Sequence, residues 1–261
     1  MTRLALIAGQ DRLPATLAHA LGGRDWTCHH PEGFAPKGIA SSPFRVEQLG
    51  SFIAGLKADG VEEVCFAGRI GRPTLDPSLV DAATMPLLPR MMQALQAGDD
   101  AALRTVIAFF EQAGLCVVAA HDLMPALLDV PVEGTPNDRA CADIARAAAV
   151  HRALSPLDVG QGCVVAGGLV LAVEAMPGTD WMLESLTRFD GPSGGVLFKG
   201  AKAGQDRRID MATIGPHTVT AAAVAGLSGI AVIAGDVLVL DAEAMRERLA
   251  ATGLFLTVWS E

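Results

Sequence analysis

Short apolar runs alternate with segments whose apolar residues recur every three or four positions, and this constrains the fold more than any other feature of the chain. Residues 4–8 form such a run, closed by Gly9. Leu13, Leu17, Ala20 and Leu21 follow at helical spacing, with Pro14 in the first turn. The pattern then repeats. A strand is expected at 26–29, a helical stripe of Val46, Leu49, Ile53 and Leu56 across 46–57, and a buried strand at 64–67. Helices are expected at 87–95 and 101–112, joined by Gly98-Asp99-Asp100, and a strand at 115–119 runs into His121-Asp122. Strands that alternate with helices pair in parallel, because each crossover needs a helix to return the chain to the same sheet edge.

After residue 130 the texture changes. Residues 130–136 hold turn formers without period and read as an inter-domain linker. An Ala-rich helix is expected at Asp138–Leu154, two strands within 159–173, and a short helix at 180–188. Strands follow at 196–198, 230–232, 237–240 and 254–258, with helices at 216–225 and 243–252. The expected architecture is α/β: a Rossmann-like parallel-sheet domain (1–130), a linker (131–136), and a mixed α/β domain (137–261).

Composition narrows the function. The net charge of −9 argues against free nucleic acid as a partner, since phosphate binding by counterion release needs a basic surface. A phosphorylated substrate would require a local cationic pocket. No apolar run reaches the roughly 20 residues of a spanning helix, and residues 1–9 lack a signal-peptide layout, so a cytoplasmic location is expected. Tyr is absent and aromatics are 5% of the chain, so cores of Leu, Val and Ala are expected. The five cysteines (Cys28, Cys65, Cys116, Cys141, Cys163) form no C-x-x-C pair, and most read as small core residues.

Several turns carry candidate chemistry. Residues 8–14, around Gly9, could offer backbone N–H groups to a phosphate, although neither G-x-G-x-x-G nor a Walker A motif is present. Gly68-Arg69-Ile70-Gly71-Arg72-Pro73 follows a strand, where ligands collect in parallel sheets, and its two arginines could pair with phosphate oxygens. The densest signal is 199–210. Six of these twelve residues are charged: Lys199, Lys202, Arg207 and Arg208 with Asp206 and Asp210. That mixture suits a phosphoanion plus a hard cation, Mg²⁺ being held by carboxylate oxygens while Lys and Arg neutralise phosphate charge. Thr213-Ile214-Gly215-Pro216 then opens a helix. Glu174 and Asp180 are candidate metal or water ligands around Gly178-Thr179, and Asp158-Val159-Gly160-Gln161 adds a polar turn. For each segment an ordinary solvated turn or helix cap stays open as the alternative.

In order along the chain, Asp158-Val159-Gly160-Gln161, Ala172-Val173-Glu174, Gly178-Thr179-Asp180, Lys199, Lys202, Gln205-Asp206, Arg208, Asp210 and Thr213-Ile214-Gly215-Pro216 with Thr218 resemble UDP-2,3-diacylglucosamine pyrophosphatases of the LpxI type. Gly9, Leu13-Pro14, Gly68, Arg72-Pro73, Gly98-Asp99-Asp100 and His121-Asp122 match as well. Pro177 stands where an acidic residue is frequent in that family, and Ala203 where Pro is usual.

The resemblance implies hydrolysis of UDP-2,3-diacylglucosamine to UMP and 2,3-diacylglucosamine 1-phosphate (lipid X) in the lipid A pathway of Gram-negative bacteria. It also implies Mg²⁺, catalytic loops carried by the second domain, a lipid product lying in a cleft between the two domains, and transient contact with the inner membrane. A homodimer stays open. Expected catalytic residues are Asp210, Asp206, Lys199, Lys202 and Arg208. Expected metal ligands are Asp210, Asp206, Glu174 and Asp180. Expected substrate contacts are Gly9, Arg69, Arg72, Glu174, Thr179, Gln205, Thr213 and Gly215. Two other classes compete. A nucleotide-dependent oxidoreductase or epimerase would bind NAD tightly, and a lipid or nucleotide carrier would release no UMP.

Overall fold

The computed structural model describes residues 2–71, 74–97 and 99–260. The chain divides into two compact units. The first comprises Met1–Met124 with Arg208–Asp210, and the second comprises Pro125–Arg207 with Met211–Glu261.

The first unit runs β1 (Arg3–Ala8), α1 (Leu13–Ala20), β2 (Trp26–Pro31), β3 (Ser42–Phe44), α2 (Leu49–Ala58), β4 (Val61–Ala67), α3 (Leu88–Ala97), α4 (Asp99–Gln112), β5 (Cys116–Val118) and α5 (Ala120–Leu123). Its sheet is wholly parallel, in the order β3-β2-β1-β4-β5. β1 is central, and Leu4, Ala5, Leu6, Ile7 and Ala8 are all buried, which is why its sequence is a continuous apolar run rather than an alternating one. α2 buries Leu49, Ile53 and Leu56, one face of the expected stripe. The helix begins three residues later than expected, because Val46–Gln48 forms a 3-10 turn.

The expected aliphatic cores are present, with Leu, Val, Ile and Ala making up most of each cluster, and this unit adds aromatic contacts: Phe44 stacks on Phe52 at 4.0 Å, and Phe66 meets Phe110 edge-on at 5.2 Å.

The second unit runs α6 (Asp138–Leu154), β6 (Gly162–Ala166), β7 (Leu169–Val173), α7 (Thr179–Leu186), β8 (Val196–Lys199), β9 (Ala212–Ile214), α8 (Pro216–Val224), β10 (Gly229–Ile233), β11 (Val237–Val239), α9 (Ala242–Thr252) and β12 (Phe255–Trp259). Its main sheet has the order β12-β10-β8-β6-β7. β6 runs antiparallel to both neighbours, while β8, β10 and β12 are parallel. β9 and β11 form a separate parallel pair.

The strand period of two sorts side chains between two cores. Cys163, Val165, Val196, Phe198, Ala231 and Phe255 pack with Ala140, Ile144 and Ala147 of α6. Val164, Leu197, Ile230, Val232 and Leu256 pack on the other face with Leu183 of α7, Val219 of α8 and Leu249 of α9. The β6–β7 hairpin turns through Gly167 and Gly168, both at positive φ, and the buried Asp143 carboxylate accepts both of their N–H groups at 3.0 and 2.7 Å.

Residues 130–136 lie along this unit. Val130 packs on its core, and Glu133 exchanges backbone hydrogen bonds with Leu256. No helix among the described residues is long and apolar enough to cross a membrane. Cys28, Cys65 and Cys163 are buried as expected for core thiols, whereas Cys141 and Cys116 are exposed, the latter on an edge strand.

Candidate active site

In the second unit, β7 and β8 both run antiparallel to β6, so Glu174 and Lys199 emerge at the same end of the sheet, where β10 also ends. This is the carboxyl edge at which open α/β sheets gather ligands. Lys199, the last residue of β8, is only 2% exposed, and Glu174, the first residue after β7, is 8% exposed. Two buried charges persist only when they are paired and hydrogen-bonded. Here Lys199 Nζ lies 3.4 Å from Glu174 Oε2 and donates to Thr179 Oγ1 at 2.6 Å, and the Thr179 hydroxyl donates to Glu174 Oε1 at 2.8 Å. Thr179 is delivered by the first turn of α7, after Gly178 at φ +88°.

The glycines of the Asp158–Gly162 turn make room for this triad. A Cβ on Gly160 would stand 2.1 Å from Glu174 O, and one on Gly162 would stand 3.0 Å from Glu174 Oε2.

The charged segment leaves β8 from that point. Each of its cations meets a carboxylate from elsewhere in the chain: Lys199 meets Glu174, Lys202 meets Asp158, Arg207 meets Asp236, and Arg208 meets Glu111 at 2.6 Å. Lys202 N donates to Gln205 Oε1 at 2.8 Å, closing a small loop. Asp206 belongs to the second unit, whereas Arg208–Asp210 group with the first, where Ile209 packs on the core.

Asp180 is exposed and lies 3.4 Å from His217. The Thr213 hydroxyl donates to Met211 O at 3.2 Å. Gly215 caps α8, its N–H donating to Thr218 Oγ1 at 3.2 Å.

In the first unit the order of strands reverses between β1 and β4, and the loops after these strands carry Gly9 and Arg69. Gln10 N donates to Arg69 O at 2.9 Å and Arg69 N donates to Gln10 O at 3.0 Å, so the two loops are tied together. Neither Gly9 nor Gly68 has space for a Cβ: Gly9 would meet Arg69 O at 2.5 Å, and Gly68, at φ +84°, would meet Gln10 O at 2.3 Å. The Arg69 guanidinium is exposed beside Asp11 at 3.4 Å. Arg72, Pro73 and Gly98 lie outside the described residues. Asp122 caps α5, accepting from Ala119 N at 3.0 Å, and the buried His121 Nδ1 has no hydrogen-bond partner among the described residues.

Sequence reasoning missed His151, Ser155, Asp236 and Glu111. His151 is buried in α6, and its Nε2–H donates to Gly200 O at 3.1 Å. Burial lowers its pKa, opposed by the hydrogen bond to Gly200 and by the Asp236 and Glu174 carboxylates. A histidine in an Ala-rich helix gives no sign of what it faces.

No group of three or more His, Cys, Asp or Glu side chains placed to hold a metal occurs among the described residues. Mg²⁺ commonly takes only one or two protein carboxylates and fills its remaining positions with water and substrate phosphate. Glu174 is compatible with that sparse mode only as a shared carboxylate, since its buried Oε2 accepts no hydrogen bond among the described residues yet already faces the Lys199 ammonium at 3.4 Å.

Two family models match the chain, the LpxI N-terminal domain over residues 3–127 and the LpxI C-terminal domain over residues 129–257. A protein of Caulobacter vibrioides named UDP-2,3-diacylglucosamine pyrophosphatase LpxI is 38% identical over 98% of this chain and 97% of its own length. Among solved structures, an N-terminal ketoreductase from a macrolactin assembly line aligns over 99% of this chain and 54% of that one, at 8% identity and a TM-score of 0.24, a likeness too weak to carry an argument.

Proposed function

The chain belongs to the LpxI family, and from that premise we propose that it hydrolyses the pyrophosphate bond of UDP-2,3-diacylglucosamine. Water adds to one phosphorus, the P–O–P bridge breaks, and UMP and 2,3-diacylglucosamine 1-phosphate leave. The observation that carries this reading is the buried Lys199–Thr179–Glu174 triad at the carboxyl edge of the second sheet, at the head of the charged segment.

The roles divide by burial. Lys199, sealed against Glu174, supplies a fixed positive charge that needs no reorganisation when the diphosphate binds. Arg208 is held by the half-exposed Glu111 carboxylate, which phosphate oxygens can replace at little expense, since surface ion pairs contribute about 0–1 kcal/mol, whereas Lys202, 12% exposed at its side chain, stays anchored by Asp158 and offers its remaining ammonium N–H groups to phosphate. Asp206 and Asp210, four residues apart, orient the attacking water and accept its proton. Asp206, Asp210 and Glu174 are the carboxylates that would hold Mg²⁺, with Asp180 as a further oxygen donor. When bound, the ion supplies Lewis-acid neutralisation of phosphate charge. Gln205, Gly215, Thr213, Gly9 and Arg69 are the proposed substrate contacts. Because the substrate is lipid-linked, the enzyme works at the cytoplasmic face of the inner membrane.

The test is release of UMP by purified protein, with and without a chelator. Asp210→Ala is expected to lose nearly all turnover while still binding the lipid product. Normal turnover by that variant would remove the assignment of Asp210, and no UMP from wild-type protein at high concentration would leave a carrier instead.

A further inference from the structure

Once β8 ends at Lys199, the chain leaves the sheet and its backbone must find new partners. The first is close by: Gly200 N donates to Gln161 O at 3.0 Å. Lys202 N turns to Gln205 within the segment, and two further backbone partners and one side-chain pair come from a single stretch of chain. His151, near the end of α6, donates from Nε2 to Gly200 O. Ser155, in the 3-10 turn Ser155–Leu157, accepts from Ala203 N through its hydroxyl oxygen. Asp158, which closes that turn in the left-handed region at φ +54°, pairs with Lys202 Nζ.

The three anchors are spaced by four and three residues, so the helix and its terminal turn bring them to one face. They meet residues 200, 203 and 202 of the charged segment. His151 and Ser155 are each 7% exposed, and the His151 ring packs against Phe198, at 5.6 Å between centroids. A cavity of about 170 Å³ lies between this face and the segment, lined by His151, Arg152, Ser155, Ala201, Ala203 and Trp259 among others. Gly200 lies against the Ile233 side chain and Ala201 is buried, so directed polar bonds add to apolar contact in holding the segment here.

We infer that the end of α6 and its 3-10 turn form a rack that holds the Lys199–Gln205 loop in its working geometry, with His151 and Ser155 as positioning residues that touch no substrate. A carbonyl such as Gly200 O, buried and deprived of its donor, must stay unsatisfied or move to find another. Moving it displaces Lys199 on one side and Lys202 on the other. Small displacements of charge-stabilising groups act on the transition state more than on substrate binding. The charged groups that bear on His151 are Asp236 and Glu174, both of which favour its protonation, and burial outweighs them. A neutral imidazole with its proton on Nε2 satisfies the bond to Gly200.

The inference rests on the proposed hydrolase reading for its kinetic arm only. In that arm, His151→Phe and Ser155→Ala are compared with His151→Gln and Ser155→Thr, which keep a donor and a hydroxyl. The first pair is expected to lose roughly tenfold in kcat, the loss that goes with one hydrogen bond, with KM changed much less. The conservative pair is expected to recover most of that loss. Melting temperature is recorded for all four, because a purely structural role would lower stability and leave kcat per folded molecule intact.

The second arm needs no turnover. Amide hydrogen exchange across residues 199–205 should rise about tenfold in His151→Phe and Ser155→Ala, and stay near wild type in the conservative variants. Unchanged exchange and kcat in the folded Phe and Ala variants overturn the rack. So does a Gln variant as impaired as Phe, or failure of both truncations to fold, which would make these residues plain core. A wild-type protein that releases no UMP would sink the hydrolase reading and leave the exchange arm to decide on the rack.

Discussion

The carboxyl edges of the two sheets are built on opposite principles. In the first unit the loops after β1 and β4 are tied backbone to backbone through Gln10 and Arg69, and the charge there, Arg69 beside Asp11, is left in solvent. In the second unit the backbone turns through Gly160 and Gly162 to admit a buried ion pair, and a hydroxyl stitches the pair together. The first edge holds a loop geometry that depends on Gly9 and Gly68 carrying no side chain. The second holds a charge in place. Pre-set charge is what phosphate chemistry demands, since orienting dipoles or ions during the reaction adds to its barrier. On this contrast the second edge is the one suited to stabilising phosphate charge, and the first is suited to holding a loop geometry.

The most severe way to break this contrast is to remove one member of the buried pair. Lys199→Met leaves Glu174 without its counter-ion, and the loss of one partner from a buried pair costs about 3–5 kcal/mol. Thermal or urea unfolding should register that loss, together with near-complete loss of UMP release. The double variant Lys199→Met/Glu174→Gln removes both charges and should regain much of the stability but none of the activity. Recovery of turnover in the double variant would show that the pair serves only the fold.

Glycine substitutions sharpen the same contrast at smaller scale. Gly160→Ala drives a methyl into Glu174 O, and Gly68→Ala drives one into Gln10 O at an unfavourable positive φ. Both should destabilise by about 1–3 kcal/mol. They should differ in kinetics: Gly160→Ala disturbs Glu174 and should reduce kcat, whereas Gly68→Ala should reduce kcat far less at a temperature where both are folded. Equal kinetic damage would mean that both edges hold reacting groups.

Much of this organisation was legible in the sequence, and the exceptions share a cause. α6 begins and ends where its Ala-rich run predicts, with Asn137 Oδ1 accepting from Ala140 N at 2.9 Å as its cap. β1 and the β6–β7 pair were equally plain, because full burial and a Gly-Gly turn leave local marks. β3 leaves no such mark: it is a three-residue edge strand containing Pro43, a residue tolerated at an edge and discouraging elsewhere. β9 read as a lead-in to α8, because only its pairing with the distant β11 makes it a strand.

The site divides in the same way. Lys199, Thr179 and Glu174 each drew notice for chemical type and family pattern, but their meeting depends on three elements returning to one edge. His151 carried no mark at all, since its partner is a backbone carbonyl 49 residues away.

Acid offers a gentler probe, because each unit contains one histidine whose pKa is lowered chiefly by burial, His29 in β2 and His151 in α6. For His29, Asp59 partly opposes the shift and His30 adds to it. Both fold with pKa values below the ordinary 6.5, so the unfolded chain takes up protons first as the pH falls. Stability from these groups is complete above about 6.5 and declines as the pH drops through that value towards the lowered ones. Melting temperature measured from about pH 7 to pH 5 should fall, and the slope should flatten in His151→Gln and flatten further when His29→Gln is added. An unchanged slope in the double variant would place the acid response on the carboxylates instead.

The smallest expected effect falls on the first edge. Arg69 is 72% exposed at its side chain and lies 3.4 Å from an equally open Asp11, so the pair contributes at most about 0–1 kcal/mol and less at high salt. Arg69→Ala should leave the melting temperature almost unmoved. Its kinetic result is the informative one. If the first edge supplies no charge to the reaction, kcat stays near wild type and any change appears in KM, rising only as far as one screened contact to a phosphate allows. Raising the salt should shrink the difference between wild type and variant, because exposed charges are screened over roughly 8–10 Å at physiological ionic strength. A large, salt-independent fall in kcat would show instead that Arg69 meets the diphosphate in a desolvated setting, and the division of labour between the two edges would have to be redrawn.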